Sequence, residues 1–145
     1  TMNPLLTHLP TLISELQEDR VYNKAVIGFD QAFLDAQIQK IPSEIRESFE
    51  VIKSRDMLLE FMPKGVTKAY GLSLLVRDLG LKQTEVMSIG DEENDLSMIE
   101  YAGIGVAMGN AVAQVKAVAD IVTATNEEDG VAKVVETYIL QEGSD

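Results

Sequence analysis

The chain has 145 residues, enough for one ordinary domain or two small ones, and carries 12 lysines and arginines against 24 aspartates and glutamates. The formal charge of −12 disfavours nucleic acid and anionic membrane surfaces as partners, although an acidic protein can still bind a phosphate locally when a cation assists. Cysteine is absent, which excludes disulfides, thiolate metal sites and a cysteine nucleophile. No apolar run approaches the roughly 20 residues that span a bilayer. The N-terminus lacks a basic region before an apolar core, so we expect a soluble, cytoplasmic protein.

The first sixty residues predict short elements of both kinds. Residues 1–20 are predicted to be helical in part, because apolar side chains from Leu9 to Leu16 recur at helical spacing. The segment NKAVIGF predicts a strand, and Asp30 is the predicted N-cap of a helix that ends before Pro42. The β-rich runs FEVIKS and MLLEFM, separated by the turn-like RD, predict an antiparallel pair of strands.

From Pro63 onward, longer helices alternate with strands. Thr67 is the predicted N-cap of a helix over TKAYGLSLLVRDLG, which Gly80 ends. Strands are predicted over EVMSIG, IGVAM and DIVTA, with helices between them and a last helix over DGVAKVVETYIL. Strands and helices that alternate with short loops indicate parallel βαβ units. The predicted fold class is therefore α/β with a parallel sheet, and we place a domain boundary near residues 60–63.

The most unusual stretch places four carboxylates and one asparagine in five consecutive positions, from Asp91 to Asp95, directly after the predicted strand VMSIG. In a parallel sheet, ligands bind at the carboxyl ends of the strands. One explanation is helix capping by Asp91 or Asn94, with acids in the first turn each contributing on the order of 0.3 to 1 kcal/mol. The other is a bound cation, because four like charges repel one another and oxygen ligands suit Mg²⁺. Both explanations are open at this point.

Lys68 departs from the local rules for a helix. In the first turn of a helix that Thr67 caps, a lysine meets the positive end of the helix dipole, at a cost of a few tenths of a kcal/mol. A broken local rule is a hint of function. A lysine there can add a point charge to a phosphate that backbone N–H groups already hold. The alternative is that Lys68, like Lys64, is merely solvated.

Three segments carry a resemblance to a known family: LEFMPKGVTKAYGLSLL, VMSIGDEENDLSMIEYAGIGVAMGNA and TNEEDGVAKVVE. They resemble the haloacid dehalogenase superfamily phosphatases, specifically the Cof-type, YidA-like sugar phosphatases, over the chain from about Tyr22 to Leu140. The GDxxND pattern is highly specific, because the glycine-rich strand after it matches as well. The resemblance implies a Mg²⁺-dependent hydrolase of small phosphomonoesters, with sugar phosphates as expected substrates.

The resemblance also implies roles for four residues. Lys68 corresponds to the lysine that contacts the transferring phosphoryl group, and Asn94 to a contact of the substrate phosphate. Asp91 corresponds to the direct Mg²⁺ ligand. Asp95 corresponds to the acid that supports the metal shell or its waters. Lys68 and Asp95 are thus the implied catalytic residues, Lys68 and Asn94 the implied substrate contacts, and Asp91 and Asp95 the implied metal site. Glu92 and Glu93 stand at positions that vary in the family, and both are expected at the surface.

The sequence departs from the family pattern in one important respect. The DxDGT strand of the family supplies an aspartate that attacks phosphorus and a second aspartate that acts as general acid and base, and neither this strand nor the family's later serine or threonine is found here. We therefore expect residues 1–61 to be the C-terminal part of an α/β cap domain and residues 62–145 to be the C-terminal half of the core domain. Such a chain should be inactive alone. It should associate with the missing N-terminal half or pair with itself as a dimer, because the strand VMSIG would present an unpaired edge.

Three alternatives remain beside this interpretation. A P-type ATPase phosphorylation domain carries a similar GDxxND loop, but this sequence lacks a spanning segment. A non-catalytic interaction module or regulatory remnant would keep the fold without turnover, and the missing nucleophile favours it. A Ca²⁺-binding loop of the EF-hand type would need acids at alternate positions around a central glycine, which are not found. His8, the single histidine, lies outside the motifs and is expected at the surface.

Overall fold

The computed structural model describes residues 11–140, which form two three-stranded sheets and the helices that pack on them. Within this range no helix is long and apolar enough to cross a membrane. The strands and α-helices are, in chain order, β1 (Ala25–Gly28), α1 (Gln31–Ile38), α2 (Ser43–Ser48), β2 (Phe49–Arg55), β3 (Leu58–Pro63), α3 (Lys68–Asp78), β4 (Met87–Gly90), α4 (Leu96–Tyr101), β5 (Ile104–Ala107), α5 (Ala113–Val118), β6 (Ile121–Val122) and α6 (Gly130–Val135). Short turns of 3₁₀-helix lie at Ile13–Glu15, Gln83–Glu85, Glu93–Asp95 and Asn126–Glu128, and a π-helical turn at Glu136–Leu140.

The first sheet is antiparallel, with the strand order β1-β3-β2. The runs FEVIKS and MLLEFM pair as the sequence predicts, with Ile52 opposite Glu60 and Lys53 opposite Leu59. Helix α1 packs on the face that carries Lys53, because the ammonium group of Lys53 donates to Asp35 Oδ1 at 2.6 Å. Side chains alternate between the two faces of a strand, so Ile52 and Glu60 point away from α1. This second face of the sheet is turned toward the start of α3.

The second sheet is parallel, with the order β4-β5-β6. Met87 is paired with Ile104 and Val106 with Ile121, which confirms the predicted α/β fold with a parallel sheet. Helices α4 and α5 cover it through a buried apolar cluster of Ile99, Ala107, Met108, Ala111 and Val115. Among residues 11–140, β4 has a paired strand on one side only, and its apolar side chains are half-buried.

The predicted helix over residues 1–20 is wrong for the part that the structure describes. Residues 11–20 hold only the single 3₁₀ turn Ile13–Glu15, and Leu12, Ile13 and Leu16 are exposed. An apolar stripe stabilises a helix only where it can pack against something, since short isolated helices are marginal in water. Leu9 and His8 lie outside the described residues.

The two sheets approach each other where β2 contacts the turn Glu93–Asp95. The predicted division after residue 61 falls inside β3, which continues the antiparallel sheet to Pro63. Helix α3 then begins at Lys68, after Thr67 Oγ1 accepts a hydrogen bond from the backbone N–H of Tyr70 at 3.2 Å. The assignment of the two parts to a cap and a core domain stays a prediction.

Candidate active site

The acidic loop follows β4 at the carboxyl end of the parallel sheet, and Asp95 determines its shape. One carboxylate oxygen of Asp95, Oδ2, accepts the backbone N–H of Asp91 at 2.9 Å and that of Glu92 at 3.2 Å. Asp95 is only 4 % exposed. A buried carboxylate is tolerated when charge-assisted hydrogen bonds compensate it, and two of the required donors come from its own loop.

Gly90 is required for this arrangement by its lack of a side chain. A Cβ atom on Gly90 would lie 2.5 Å from Cβ and 2.7 Å from Oδ2 of Asp95. Non-bonded carbon atoms prefer separations of about 3.5 to 4.0 Å. The glycine of the GDxxND pattern therefore allows the Asp95 side chain to lie against the end of β4.

Lys68 reaches the same carboxylate from the first position of α3. Its ammonium group forms an ion pair with Oδ1 of Asp95, so the head group of Lys68 is paired rather than merely solvated. The side chain of Lys68 is 47 % exposed, while that of Asp95 is 6 % exposed. The positive end of the helix dipole opposes a lysine at this position. The buried carboxylate of Asp95 compensates for that placement.

Asp91 is held by a residue that the sequence analysis missed, Asn110. The side-chain amide of Asn110 donates to Asp91 Oδ2 at 3.0 Å, and its Oδ1 accepts the backbone N–H of Asn126 at 3.0 Å. The backbone carbonyl of Asp91 also accepts from the N–H of Val112 at 2.9 Å. Asn110 thereby connects the loops that follow β4, β5 and β6. Its only sequence signal is its position just after β5, at the same sheet edge as Asp91.

The acidic loop offers oxygen donors of the kind that Mg²⁺ prefers. Within residues 11–140, however, no three histidine, cysteine, aspartate or glutamate side chains converge to hold a metal ion. Asp95 directs its oxygens toward Lys68 and the loop backbone, whereas Asp91 Oδ1 has no hydrogen-bond partner among residues 11–140. Mg²⁺ often binds through one or two carboxylates, with water and substrate phosphate completing the octahedron. The residues of the loop fit such a partial site, in which Asp91 would bind the ion directly.

The pKa of Glu92 reflects its position among the clustered acids of the loop. Burial raises the pKa of Glu92 above its ordinary value of 4.5, and the charge of Asp91 raises it further. Glu92 is half-buried rather than at the surface, because with Asp91 it faces the β2–β3 turn across a cavity of about 630 Å³. Arg55 and Asp56 line the opposite side of that cavity.

A second cavity, of about 280 Å³, lies between the first sheet and the start of α3, and we call it the shared cavity. Lys68 and Asn94 line it on one side, and Lys24, Ile52 and Glu60 line it on the other. Within residues 11–140 the Asn94 side chain makes no hydrogen bond. The structure thus brings Lys68 and Asn94 together at one concave surface. Asp95 lies behind Lys68, and Asp91 lies at the start of the same loop.

The chain is similar to proteins of known family. Residues 7–135 match the haloacid dehalogenase-like hydrolases. Over 115 residues the chain is 40% identical to the 5-amino-6-(5-phospho-D-ribitylamino)uracil phosphatase YcsE of Bacillus subtilis, a match that covers 78% of this chain and 46% of that protein.

Solved structures of haloacid dehalogenase-like proteins are also similar to this chain. A haloacid dehalogenase-like hydrolase from B. subtilis superposes with a TM-score of 0.74 at 33% identity, covering 88% of this chain and 45% of that one. The subclass IIB sugar phosphatase BT4131 superposes with a TM-score of 0.68 at 34% identity, covering 80% and 43%. The chain spans less than half the length of each of these relatives. Because the match over residues 7–135 includes both sheets and the whole acidic loop, the chain belongs to the haloacid dehalogenase-like hydrolase family.

Proposed function

We propose that this chain supplies the phosphate-binding and metal-binding part of a Mg²⁺-dependent phosphatase that hydrolyses small phosphomonoesters, with sugar phosphates as the expected substrates, through an aspartyl-phosphate intermediate. The observation that carries the proposal is the pairing of Lys68 with the buried Asp95 beside the cavity that Lys68 shares with Asn94. Membership of a hydrolase family with phosphatase relatives supports it. The nucleophilic aspartate would come from a segment outside these 145 residues.

Lys68 and Asn94 would bind the phosphoryl group. The side chain of Lys68 is half-exposed and lines the shared cavity, so a phosphate oxygen can reach it. A fixed positive charge at that point stabilises the charge that develops on the transferring group. The free side-chain amide of Asn94 can donate to a second phosphate oxygen.

Asp91 would bind the metal, and Asp95 would position both the loop and Lys68. Mg²⁺ supplies positive charge that lets an anionic nucleophile approach an anionic phosphate. Asn110 orients the Asp91 carboxylate through its hydrogen bond to Oδ2. The two backbone N–H groups that donate to Asp95 hold its carboxylate in a fixed position.

The free edge of β4 is the proposed contact for the missing part of the enzyme. Val86, Met87 and Ile89 are half-buried there, and β4 pairs only with β5 among residues 11–140. A parallel strand added beside β4 would end next to Asp91, where a nucleophile is needed. Pairing of two copies along the same edge is the other outcome, because unpaired edges attract other strands.

The proposal is tested by hydrolysis of an aryl phosphate in the presence of Mg²⁺. The chain alone should show negligible turnover, and activity should appear when a segment carrying the DxDGT strand of a relative is added. In that complex, Lys68→Ala and Asp91→Ala should each lower the rate by about 100-fold or more, since each removes an electrostatic contact to developing charge. Glu92→Ala should be nearly neutral.

Two results would contradict the proposal. Robust turnover by the verified 145-residue chain alone would remove the need for an added nucleophile. Equal losses for Glu92→Ala and Asp91→Ala would show that the roles within the loop are misassigned. A folded complex without any hydrolysis would favour the alternative, a non-catalytic interaction or regulatory remnant of this fold.

A further inference from the structure

The turn Glu93–Asp95 of the acidic loop lies at one edge of the first sheet. The strand order β1-β3-β2 places β2 at that edge, with β3 as its paired strand among residues 11–140. The turn contacts β2 there. Glu93 is half-buried at this contact, so the expectation that it lies at the surface is wrong. The phosphate and metal contacts proposed above use its neighbours in the loop and leave Glu93 without a role.

Consecutive residues of the turn lie on opposite sides of β2. Asn94 lines the shared cavity together with Ile52. Glu93 lines a different cavity, of about 300 Å³, together with Lys53 on the face of the sheet that carries α1. Ile52 and Lys53 are neighbours in β2, and side chains alternate between the two faces of a strand. The turn therefore spans the edge of β2, with one side chain on each face of the sheet.

We propose that Lys53 is a positioning residue, which attracts Glu93 on one face of β2 and thereby holds Asn94 in place at the shared cavity on the other face. The inference rests on the proposed function for one consequence only, that Asn94 binds phosphate. Lys53 itself contacts neither the phosphate nor the metal in this assignment. The first sheet thus contributes to the geometry of the acidic loop through a charged side chain that belongs to no motif.

Lys53 is a well-fixed positive charge. Its side chain is 18% exposed, and Nζ lies 2.6 Å from Asp35 Oδ1 and 4.0 Å from Asp56 Oδ1. The hydrogen bond to Asp35 raises the pKa of Lys53 above its ordinary value of 10.5 although burial opposes it, and the charges of Asp35, Asp56 and Glu93 raise the pKa further. An ammonium group has three donors, so Lys53 keeps hydrogen-bonding capacity beyond its bond to Asp35.

The other charged side chains at this cavity leave Glu93 in a favourable field. Arg46 lines the cavity from α2, and its Nη2 donates to the backbone carbonyl of Ile38 at 2.5 Å. Asp35 is the other carboxylate among the described residues that line the cavity, and it is already paired with Lys53. Glu93 therefore faces two cations and one anion whose charge is compensated.

A general effect of charge on phosphate binding predicts the opposite result from positioning. Glu93 is an anion next to Asn94 in the chain, so loss of its charge should help an anionic phosphate to bind if only Coulomb repulsion acts. If the charge of Glu93 holds Asn94 in place, its loss should weaken phosphate binding. The sign of the change in affinity therefore separates the two explanations.

The first test is calorimetric titration of the 145-residue chain with inorganic phosphate. Glu93→Gln should weaken binding about two- to fivefold, as the loss of a partly exposed charge contact would give. Glu92→Gln makes the same change of charge in the same loop but faces the other cavity, and it should not weaken binding. Lys53→Met should weaken binding as Glu93→Gln does, and Lys53→Arg should keep it. In an Asn94→Ala background, Glu93→Gln should no longer weaken binding.

The second test needs no phosphate and uses the absence of cysteine from the chain. Asn94→Cys introduces a single thiol, whose rate of labelling by a maleimide is compared between variants at equal thiolate fraction. Adding Lys53→Met should speed the labelling about two- to fivefold, because the turn is held less firmly. Asp35→Asn is the matched control. It breaks the ion pair with Lys53 but leaves Lys53 opposite Glu93, so it should not speed the labelling.

Three outcomes would overturn the inference: phosphate affinity that stays equal or rises in Glu93→Gln, a loss of affinity that persists in the Asn94→Ala background, and labelling that Asp35→Asn speeds as much as Lys53→Met. If Lys53→Met does not fold, Glu93→Gln takes its place in the labelling test. Failure of the proposed phosphate site would appear separately, as a chain that binds no phosphate, while the labelling still decides whether Lys53 positions residue 94.

Discussion

Asn110 and Asp91 are joined side chain to side chain, with the amide nitrogen of Asn110 3.0 Å from Asp91 Oδ2. The same amide group accepts the backbone N–H of Asn126 through its oxygen. One side chain thus fixes the proposed metal ligand and connects the loop after β5 to the turn after β6. The geometry of Asp91 therefore depends on a residue 19 positions away in the sequence.

Replacement of Asn110 by alanine tests this connection. Asn110→Ala removes both hydrogen bonds and should lower the free energy of unfolding by about 1 to 3 kcal/mol, measured by urea denaturation. Asn126→Ala keeps the backbone N–H that Asn110 binds, so it should stay within about 0.5 kcal/mol of wild type. Equal losses in the two variants would show that Asn110 does not have the connecting role.

Gly90 and Gly71 provide a matched pair of alanine substitutions. Gly90→Ala forces a methyl group against the Asp95 side chain and should cost about 1 to 3 kcal/mol, as overpacked sites do. Gly71 lies in α3 with nothing within 4 Å of an added Cβ, so Gly71→Ala should stabilise by about 0.5 to 1 kcal/mol. Thermal denaturation of the two variants should therefore shift in opposite directions. A neutral Gly90→Ala would contradict the described contact.

Asp95 and Lys68 should contribute unequally to stability. Asp95→Ala leaves the N–H groups of Asp91 and Glu92 without their acceptor, at a cost of about 1 to 3 kcal/mol each when such groups stay buried. Lys68→Met removes one partner of Asp95 from a half-exposed position, so about 1 kcal/mol or less is expected. Urea denaturation of both variants measures the difference. A larger loss for Lys68→Met would mean that the ion pair, not the loop backbone, supports Asp95.

The ionisation of Glu60 should contribute to the pH dependence of the free energy of unfolding. Its pKa is lowered in the folded state by Lys24 and Ser54, so Glu60 stabilises the fold above its ordinary value of 4.5. That contribution is lost as the pH falls through the lowered pKa. Glu60→Gln should therefore flatten the fall in unfolding free energy as the pH is lowered below about 4.5. Lys24→Met should flatten it in part, and an unchanged slope in both variants would argue against the pairing.

Mg²⁺ should bind this chain only weakly. Among residues 11–140, Asp91 keeps one carboxylate oxygen free of hydrogen bonds, and Mg²⁺ demands near-complete octahedral oxygen coordination, which this loop does not supply by itself. Calorimetric titration of the chain should show no tight binding. A submicromolar dissociation constant that persists in Asp91→Asn would refute Asp91 as the ligand.

Local sequence signals account for the parts of the molecule that were predicted well. Thr67 caps α3 through a hydrogen bond three residues away, and the acidic loop closes on itself within five residues, so both can be read from a short segment. The helix predicted near Leu12 was wrong, because an apolar stripe does not reveal whether a packing surface exists.

Long-range pairing accounts for what the sequence analysis missed. Lys24 and Glu60 are 36 residues apart and meet only because β1 and β3 are neighbours in a particular register. Asn110 and Asp91 meet because β4 and β5 are parallel and end at the same edge. Neither register is visible in the composition of a single strand, so these contacts needed the structure.

The two backbone N–H groups that donate to Asp95 also affect how easily Lys68 can leave that carboxylate. If Lys68 binds phosphate as proposed, its head group would leave Asp95, but the carboxylate would keep its hydrogen bonds from the backbone N–H groups of Asp91 and Glu92 and would not be an uncompensated ion in the protein interior. The proposed move of Lys68 from Asp95 to a bound phosphate would therefore cost little free energy.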